Sequence, residues 1–212
     1  GRGNAACRDL SELRAAVRAM GGEAEGGALY AEGWVPFAKE VAVMVARDRQ
    51  GNIQAHPLVE THHRDSILVA LECPPPNLDP TVREQAVKVA RRVVSCFEGA
   101  GVFGVEMFVT EEGEVLVNEV APRPHNSGHF TIEACVTSQF EQHVRAALGW
   151  PLGDPGLLCG ASCMLNVLGE AAGSEGTALA HRAIGAALAT KGAHPHWYGK
   201  GGVAPGRKVG HV

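Results

Sequence analysis

Two glutamates that a hairpin brings face to face constrain this chain more than any other feature. Residues Val102 to His129 (VFGVEMFVTEEGEVLVNEVAPRPHNSGH) read as a strand, a tight turn, a second strand and a loop rich in Arg, His and Asn. A two-residue turn at Glu112-Gly113 pairs residues whose numbers sum to 225, and Glu106 and Glu119 meet that sum. Like charges directly opposite each other in a ladder repel. A fold holds them most easily with a cation between them, and a hard cation such as Mg²⁺ takes carboxylate oxygens. Strict alternation puts Glu119 on the otherwise apolar face of Val115 and Val117, where an unpaired carboxylate is costly. An ion pair with Arg123 is the competing way to keep it there. Asn118 falls on the opposite face, as an ordinary edge residue or as a phosphate-side or metal-side group.

The loop Pro122-Arg123-Pro124-His125-Asn126-Ser127-Gly128-His129 is too polar and too stiff for a plain linker, since its prolines fix φ and remove two backbone donors. Arg123 suits bidentate capture of a carboxylate or phosphate-like anion. Glu32 and Glu40 flank Gly33-Trp34-Val35-Pro36-Phe37. A carboxylate at such a strand end accepts from sugar hydroxyls or an exocyclic amine, or is simply half exposed. His62 and His63 read as surface histidines. Lys200, Arg207 and Lys208 surround a glycine-rich turn, where they either grip a phosphate or form a solvated basic patch.

The rest of the chain reads as α+β. Helices are expected over 5–20, from Asp79-Pro80 to Gly99, over 131–148 and over 177–190. In the third, Ile132, Cys135, Val136, Phe140 and Val144 are expected to face inward. Strands are expected at 29–35, 37–47, 53–60, 66–72, 162–168, 194–198 and 207–212. The Gly/Pro-rich stretch 149–160 is a candidate domain boundary. With 212 residues the chain has room for one large or two small domains. A net charge of −4 offers no broad basic field for nucleic acid, and no apolar run approaches the ~20 residues of a membrane span. Six scattered cysteines suggest reduced, mostly buried thiols. Zinc at Cys159 and Cys163 would need partners such as His194 and His196. The chain opens within what reads as a glycine-rich loop and closes within what reads as a strand, so a piece of something longer is expected.

The runs NEVAPRPHNSGH and TIEACVTSQFEQHVRA, with EGWVPFAKEVAVMVAR, HPLVETHH and HWYGKGGVAPGRKVGHV in the same order, resemble the N5-carboxyaminoimidazole ribonucleotide synthetases. These are ATP-grasp enzymes, fused to a mutase domain in plants and fungi. The resemblance covers nearly the whole chain. It implies an ATP-grasp lobe over 1–150, with an antiparallel sheet flanked by helices, truncated at its start and lacking the N-terminal domain. Residues 151–212 would form most of a small β-rich C-terminal domain. Mapped residue by residue, Glu32, Gly33, Trp34 and Val35 would line the adenine pocket. Glu40 would take the ribose, and His63 would lie beside the nucleotide. Glu106 and Glu119 would hold Mg²⁺, with Asn118 next to the phosphates. Arg123, His125 and Asn126 would face bicarbonate and 5-aminoimidazole ribonucleotide, whose 5′-phosphate would rest on Lys200 and Arg207.

The chemistry implied is ATP-dependent carboxylation through carboxyphosphate, in a homodimer that binds neither nucleic acid nor membrane. The setting would be intracellular, in the plastid if the source is a plant or alga and otherwise in the cytoplasm. Many ATP-grasp enzymes carry Glu-x-Asn on the second metal strand, where this chain has Ala121. Lysines that bind ATP phosphates in the family have no counterpart in this chain, so the 212-residue piece alone is expected to be inactive. Two rival readings stand. One is another purine-pathway ATP-grasp ligase, such as the formate-dependent glycinamide ribonucleotide transformylase. The other is a non-catalytic nucleotide-binding remnant.

Overall fold

A computed structural model describes residues 4–21 and 28–212. They fall into two compact units, Gly1–Val35 and Pro36–Val212. In the first, helix α1 (Leu10–Ala19) is capped by Asp9, whose side chain accepts from the Ser11 and Glu12 amides. Glu12 reaches back to the Arg8 amide at 2.7 Å, so local bonds hold a helix with no buried residue. The strand expected at 29–35 does not form. Its residues have strand propensity but no partner strand among the described residues, and a ladder needs one.

The second unit is built on one antiparallel sheet. Its strands are β1 (Lys39–Arg47), β2 (Ile53–Ala55), β3 (Val59–Arg64), β4 (Ile67–Cys73), β5 (Gly101–Val109), β6 (Val115–Ala121), β7 (Ser162–Leu168), β8 (His196–Trp197) and β9 (Lys208–His211). The order is β6-β5-β1-β3-β4-β7-β9-β8, with β2 paired to one end of β1. The expected single return strand over 53–60 is broken at Pro57, which has no amide to give to a ladder. Residues beyond the glycine-rich connection extend the same sheet through the β4–β7 pairing.

Both faces of β1 are buried. Val41, Val43 and Val45 pack with Ala86, Ala90 and Val94 of α2 (Pro80–Ser95). Asp79 caps that helix and Pro80 opens it, as its sequence dictates. Ala42 packs on the opposite face with Phe130 and Ala134. The helix expected over 131–148 is two helices, α3 (Thr131–Ala134) and α4 (Gln139–Leu148). Cys135 breaks the run by turning extended to bridge Leu157, and Ser138 then caps α4. A fifth helix, α5 (Gly173–Leu188), covers β7 and β9 through Ala180, Val167 and Val209.

The expected inward face of α4 is wrong in an instructive way. Val136, Phe140 and Val144 are exposed, whereas Gln139, Gln142 and Ala146 are buried. Gln139 accepts from the His125 amide at 2.9 Å and donates to the His125 carbonyl at 2.8 Å. Gln142 brackets Gly153 in the same manner, at 2.9 and 2.7 Å. Each glutamine completes the hydrogen bonds of a loop residue that has no strand beside it, which is why a polar face points inward.

Candidate active site

The facing glutamates arise from two departures that cancel. The hairpin turn is a three-residue loop, Glu111-Glu112-Gly113, closed by the Thr110 amide on the Glu114 carbonyl at 3.0 Å. Gly113 has φ +80°, the left-handed conformation such a turn requires. Near the turn the register is therefore Met107 opposite Val117 and Val109 opposite Val115, sums of 224 rather than 225. A bulge at Asn118 inserts one unpaired residue, and beyond it Glu106 does face Glu119. The bulge also breaks the strict alternation expected along β6. Val115 is buried, but Val117 is exposed and so is Glu119. The expected apolar surrounding of Glu119 is thus corrected. Glu106 is the member of the pair that is half buried.

Burial pushes the Glu106 carboxyl up to about 7, helped by its hydrogen bond to Glu119 and by that residue's charge. His125 stands beside both, and one ligand atom from each of Glu106, Glu119 and His125 lies within 4.8 Å of the others. Burial, then the charge of Arg123, hold the His125 imidazole down at about 4, so it is neutral at physiological pH. Its Nδ1 accepts from the Ser127 amide at 3.4 Å and lies 3.9 Å from Glu106 Oε1, which leaves the hydrogen on Nε2. Two carboxylates that repel, with a neutral imidazole that adds no positive charge beside them, fit a divalent cation. Gly104 makes this placement possible. A Cβ there would meet His125 Cβ at 2.8 Å and Cγ at 3.0 Å.

On the same side of the sheet, His63 Nδ1 lies 3.0 Å from Glu40 Oε2, close but not aligned as a hydrogen bond. Both act on Glu106, His63 lowering its pKa and Glu40 raising it. His63, expected at the surface, is half buried; His62 instead bonds Glu72 at 2.9 Å. Arg123 is exposed and donates to the Pro124 carbonyl at 3.1 Å. Lys200 and Arg207 bond carbonyls of their own segment. Glu32, Gly33, Trp34 and Val35 lie in the first unit, Glu32, Gly33 and Trp34 exposed and Val35 half buried.

Sequence reasoning missed the partners of Asn126. Lys208 Nζ donates to Asn126 Oδ1 at 2.9 Å, and the Asn166 amide pairs with the Asn126 amide. Asn166 had a readable signal, as the one polar residue in the apolar run CMLNVL. Among the described residues no zinc group forms around Cys159, Cys163 and His196, and all six cysteines are free. Burial raises the thiols of Cys73 and Cys135 to about 12, which makes them inert. No described helix is long and apolar enough to cross a membrane.

The chain is similar to known proteins along its whole length. The ATP-grasp domain profile matches residues 1–140, and that of the phosphoribosylaminoimidazole carboxylase C-terminal domain matches residues 162–212. The chloroplastic phosphoribosylaminoimidazole carboxylase of Vigna aconitifolia is 49% identical over 214 residues, which span 100% of this chain and 37% of that protein. The N5-carboxyaminoimidazole ribonucleotide synthase of Synechococcus elongatus is 38% identical over 213 residues, spanning 100% and 51%. The Aspergillus clavatus synthase, solved with ADP and 5-aminoimidazole ribonucleotide, superposes with a TM-score of 0.86 at 38% identity over 96% of this chain and 52% of that one. The Thermus thermophilus synthetase gives 0.81 at 41% identity, over 96% and 52%. The chain therefore spans about half, or less, of the length of these relatives.

Proposed function

The chain belongs to the ATP-grasp family, and from that premise we propose that it is part of an N5-carboxyaminoimidazole ribonucleotide synthetase of purine biosynthesis. The reaction is the ATP-dependent carboxylation of 5-aminoimidazole ribonucleotide. ATP phosphorylates bicarbonate to carboxyphosphate and leaves as ADP. The exocyclic amine of the ribonucleotide then takes the carboxyl group as the carbon–phosphate oxygen bond breaks, releasing inorganic phosphate and the amine proton. Residues 1–150 are the grasp lobe and 151–212 the small C-terminal domain. The observation that carries the proposal is the single loop 122–129. Within it His125 adjoins the Glu106–Glu119 pair, and the next residue, Asn126, is tied to Lys208 of β9. In this reading the nucleotide site and the second-substrate site meet on one loop.

Glu106 and Glu119, with His125 beside them, hold Mg²⁺, which when bound neutralises phosphate charge. Glu32, Gly33, Trp34 and Val35 line the adenine pocket, Glu40 takes the ribose, His63 lies beside the nucleotide, and Asn118 adjoins the phosphates. Arg123 stabilises the anionic carboxyl donor. The His125 Nε2–H and Asn126 donate to the second substrates, so catalysis is positioning and charge stabilisation. Lys200 and Arg207 hold the ribonucleotide 5′-phosphate. The intact protein is a homodimer, with a mutase fused as in plant and fungal synthetases. It acts inside the cell, in the plastid of a plant or alga and otherwise in the cytoplasm.

The test is phosphate release by the full-length protein with each ribonucleotide. Turnover that needs both 5-aminoimidazole ribonucleotide and bicarbonate is expected. Turnover with glycinamide ribonucleotide and formate instead would replace this reading with the transformylase one, and absence of turnover with either would leave the non-catalytic one.

A further inference from the structure

The basic residues near the C-terminus divide into two kinds. Lys200 Nζ donates to the Lys208 carbonyl at 2.7 Å, and Arg207 donates to the Gly201 and Gly202 carbonyls at 3.0 Å each. Lys208 is half buried and turns to Asn126 Oδ1 at 2.9 Å. The same oxygen accepts from Asn166 Nδ2 at 2.7 Å, and Asn126 Nδ2 donates back to Asn166 Oδ1 at 2.9 Å. Asn166 Nδ2 also donates to the Leu68 carbonyl at 2.9 Å.

This chain of bonds has unambiguous ends. An ammonium only donates and a peptide carbonyl only accepts. The atom of Asn126 that meets Lys208 must be its oxygen, and the atom of Asn166 that meets Leu68 must be its nitrogen. Both amide orientations follow from chemistry, where a free asparagine is ambiguous. Two donors occupy the two lone pairs of Asn126 Oδ1, and one of its two N–H bonds is used. A single N–H remains. An amide that elsewhere accepts or donates is here restricted to donating.

We propose that Asn166 and Lys208 are positioning residues that lock Asn126 as a one-hydrogen donor to an oxyanion, a carboxyl oxygen of the bicarbonate-derived substrate. The proposal rests on the carboxylation reading above. Asn126 touches substrate; Asn166 and Lys208 act through it, from strands β7 and β9. Docking of those strands thereby sets the polarity of the site. Asn166→Asp removes both donors and sets carboxylate oxygen against Asn126 Oδ1 and the Leu68 carbonyl. Because a carboxylate accepts on both sides and Lys208 still needs the Asn126 oxygen, turning the amide over gains nothing, so the pair must separate and Asn126 is no longer held.

The experiment is a double-mutant cycle in the full-length protein, using Asn126→Ala, Asn166→Asp and the pair, with Asn166→Ser in place of the aspartate variant if that one fails to fold. Asn166→Asp is expected to lower kcat/KM for bicarbonate at least tenfold while the KM for ATP stays within about twofold, and the double variant should be no slower than Asn126→Ala alone. Lys208→Arg should recover most of what Lys208→Met loses. Losses that multiply, an ATP KM that rises in step, or an unimpaired Asn166→Asp would each overturn the proposal. Denaturant melts of the same proteins decide the pairing without turnover: non-additivity of at least about fivefold in the unfolding equilibrium is expected, and additive melts overturn it. A wild type whose turnover ignores 5-aminoimidazole ribonucleotide would sink the carboxylation reading instead, leaving the melts to judge the Asn126–Asn166 pair.

Discussion

Glu119→Gln should relieve a loss of stability that Glu106 imposes on the metal-free protein as pH rises. The Glu106 carboxyl stands at about 7 against an ordinary 4.5, through burial first and then through its hydrogen bond to Glu119 and that residue's charge. A group whose folded pKa lies above its unfolded one stabilises fully below the unfolded value. It loses that contribution as pH rises through the folded value. The window is therefore 4.5 to 7. The difference, 7 − 4.5, corresponds to about 3 kcal/mol at ~1.36 kcal/mol per unit. Burial leads, so the neutral amide of the Glu119→Gln variant should relieve only part of it, on the order of 1 kcal/mol. The assay is a set of denaturant melts with EDTA between about pH 5 and pH 8, comparing the two proteins at each pH so that shared histidine contributions cancel. The variant should gain on wild type across that range. Added Mg²⁺ should stabilise wild type, more at the alkaline end, and leave the variant nearly unmoved. A stability difference that is flat with pH, or an equal Mg²⁺ response in both, would refute the reasoning from facing carboxylates.

Three further outcomes follow from the same structure. Burial depresses His56, His125 and His211 from 6.5 to about 4, and His129 to about 3. Stability from such groups is present above pH 6.5 and is lost as pH falls through the folded values, so tryptophan fluorescence should report acid unfolding, and a native signal at about pH 3 would contradict this. Gly104→Ala should destabilise by about 1–3 kcal/mol and weaken Mg²⁺ binding, because its methyl group displaces His125; melts and a Mg²⁺ titration check both. Gln139→Leu should cost about 2–4 kcal/mol in a denaturant melt by stranding the amide and carbonyl of His125, and Gln142→Leu should do the same at Gly153.

Much of this fold was legible from local pattern. The helix opened by Asp79-Pro80, the strands around 39–47 and 162–168, and the antiparallel hairpin all formed where periodicity and caps put them. The glutamate pair was reached by a register that was right at the site and wrong at the turn. Nothing in the local sequence distinguishes a two-residue turn from a three-residue turn followed by a bulge at Asn118, since both leave the same residues opposite at the far end. The face of α4 misled for a different reason. Apolar spacing marks which residues share a face, but the loops to be satisfied decide which face turns inward, and here they needed Gln139 and Gln142.

Residue types and short-range spacing therefore marked most of the elements and the polar, stiff character of the loop 122–129, because caps and prolines act over a few residues. The tertiary structure alone decided which basic side chain meets Asn126. Lys208 was one of three candidates along a glycine-rich turn. Its bond to Asn126 spans 82 positions, and Asn166 is 40 positions away. Such contacts depend on how β7 and β9 join the sheet, and a linear pattern carries no record of that pairing.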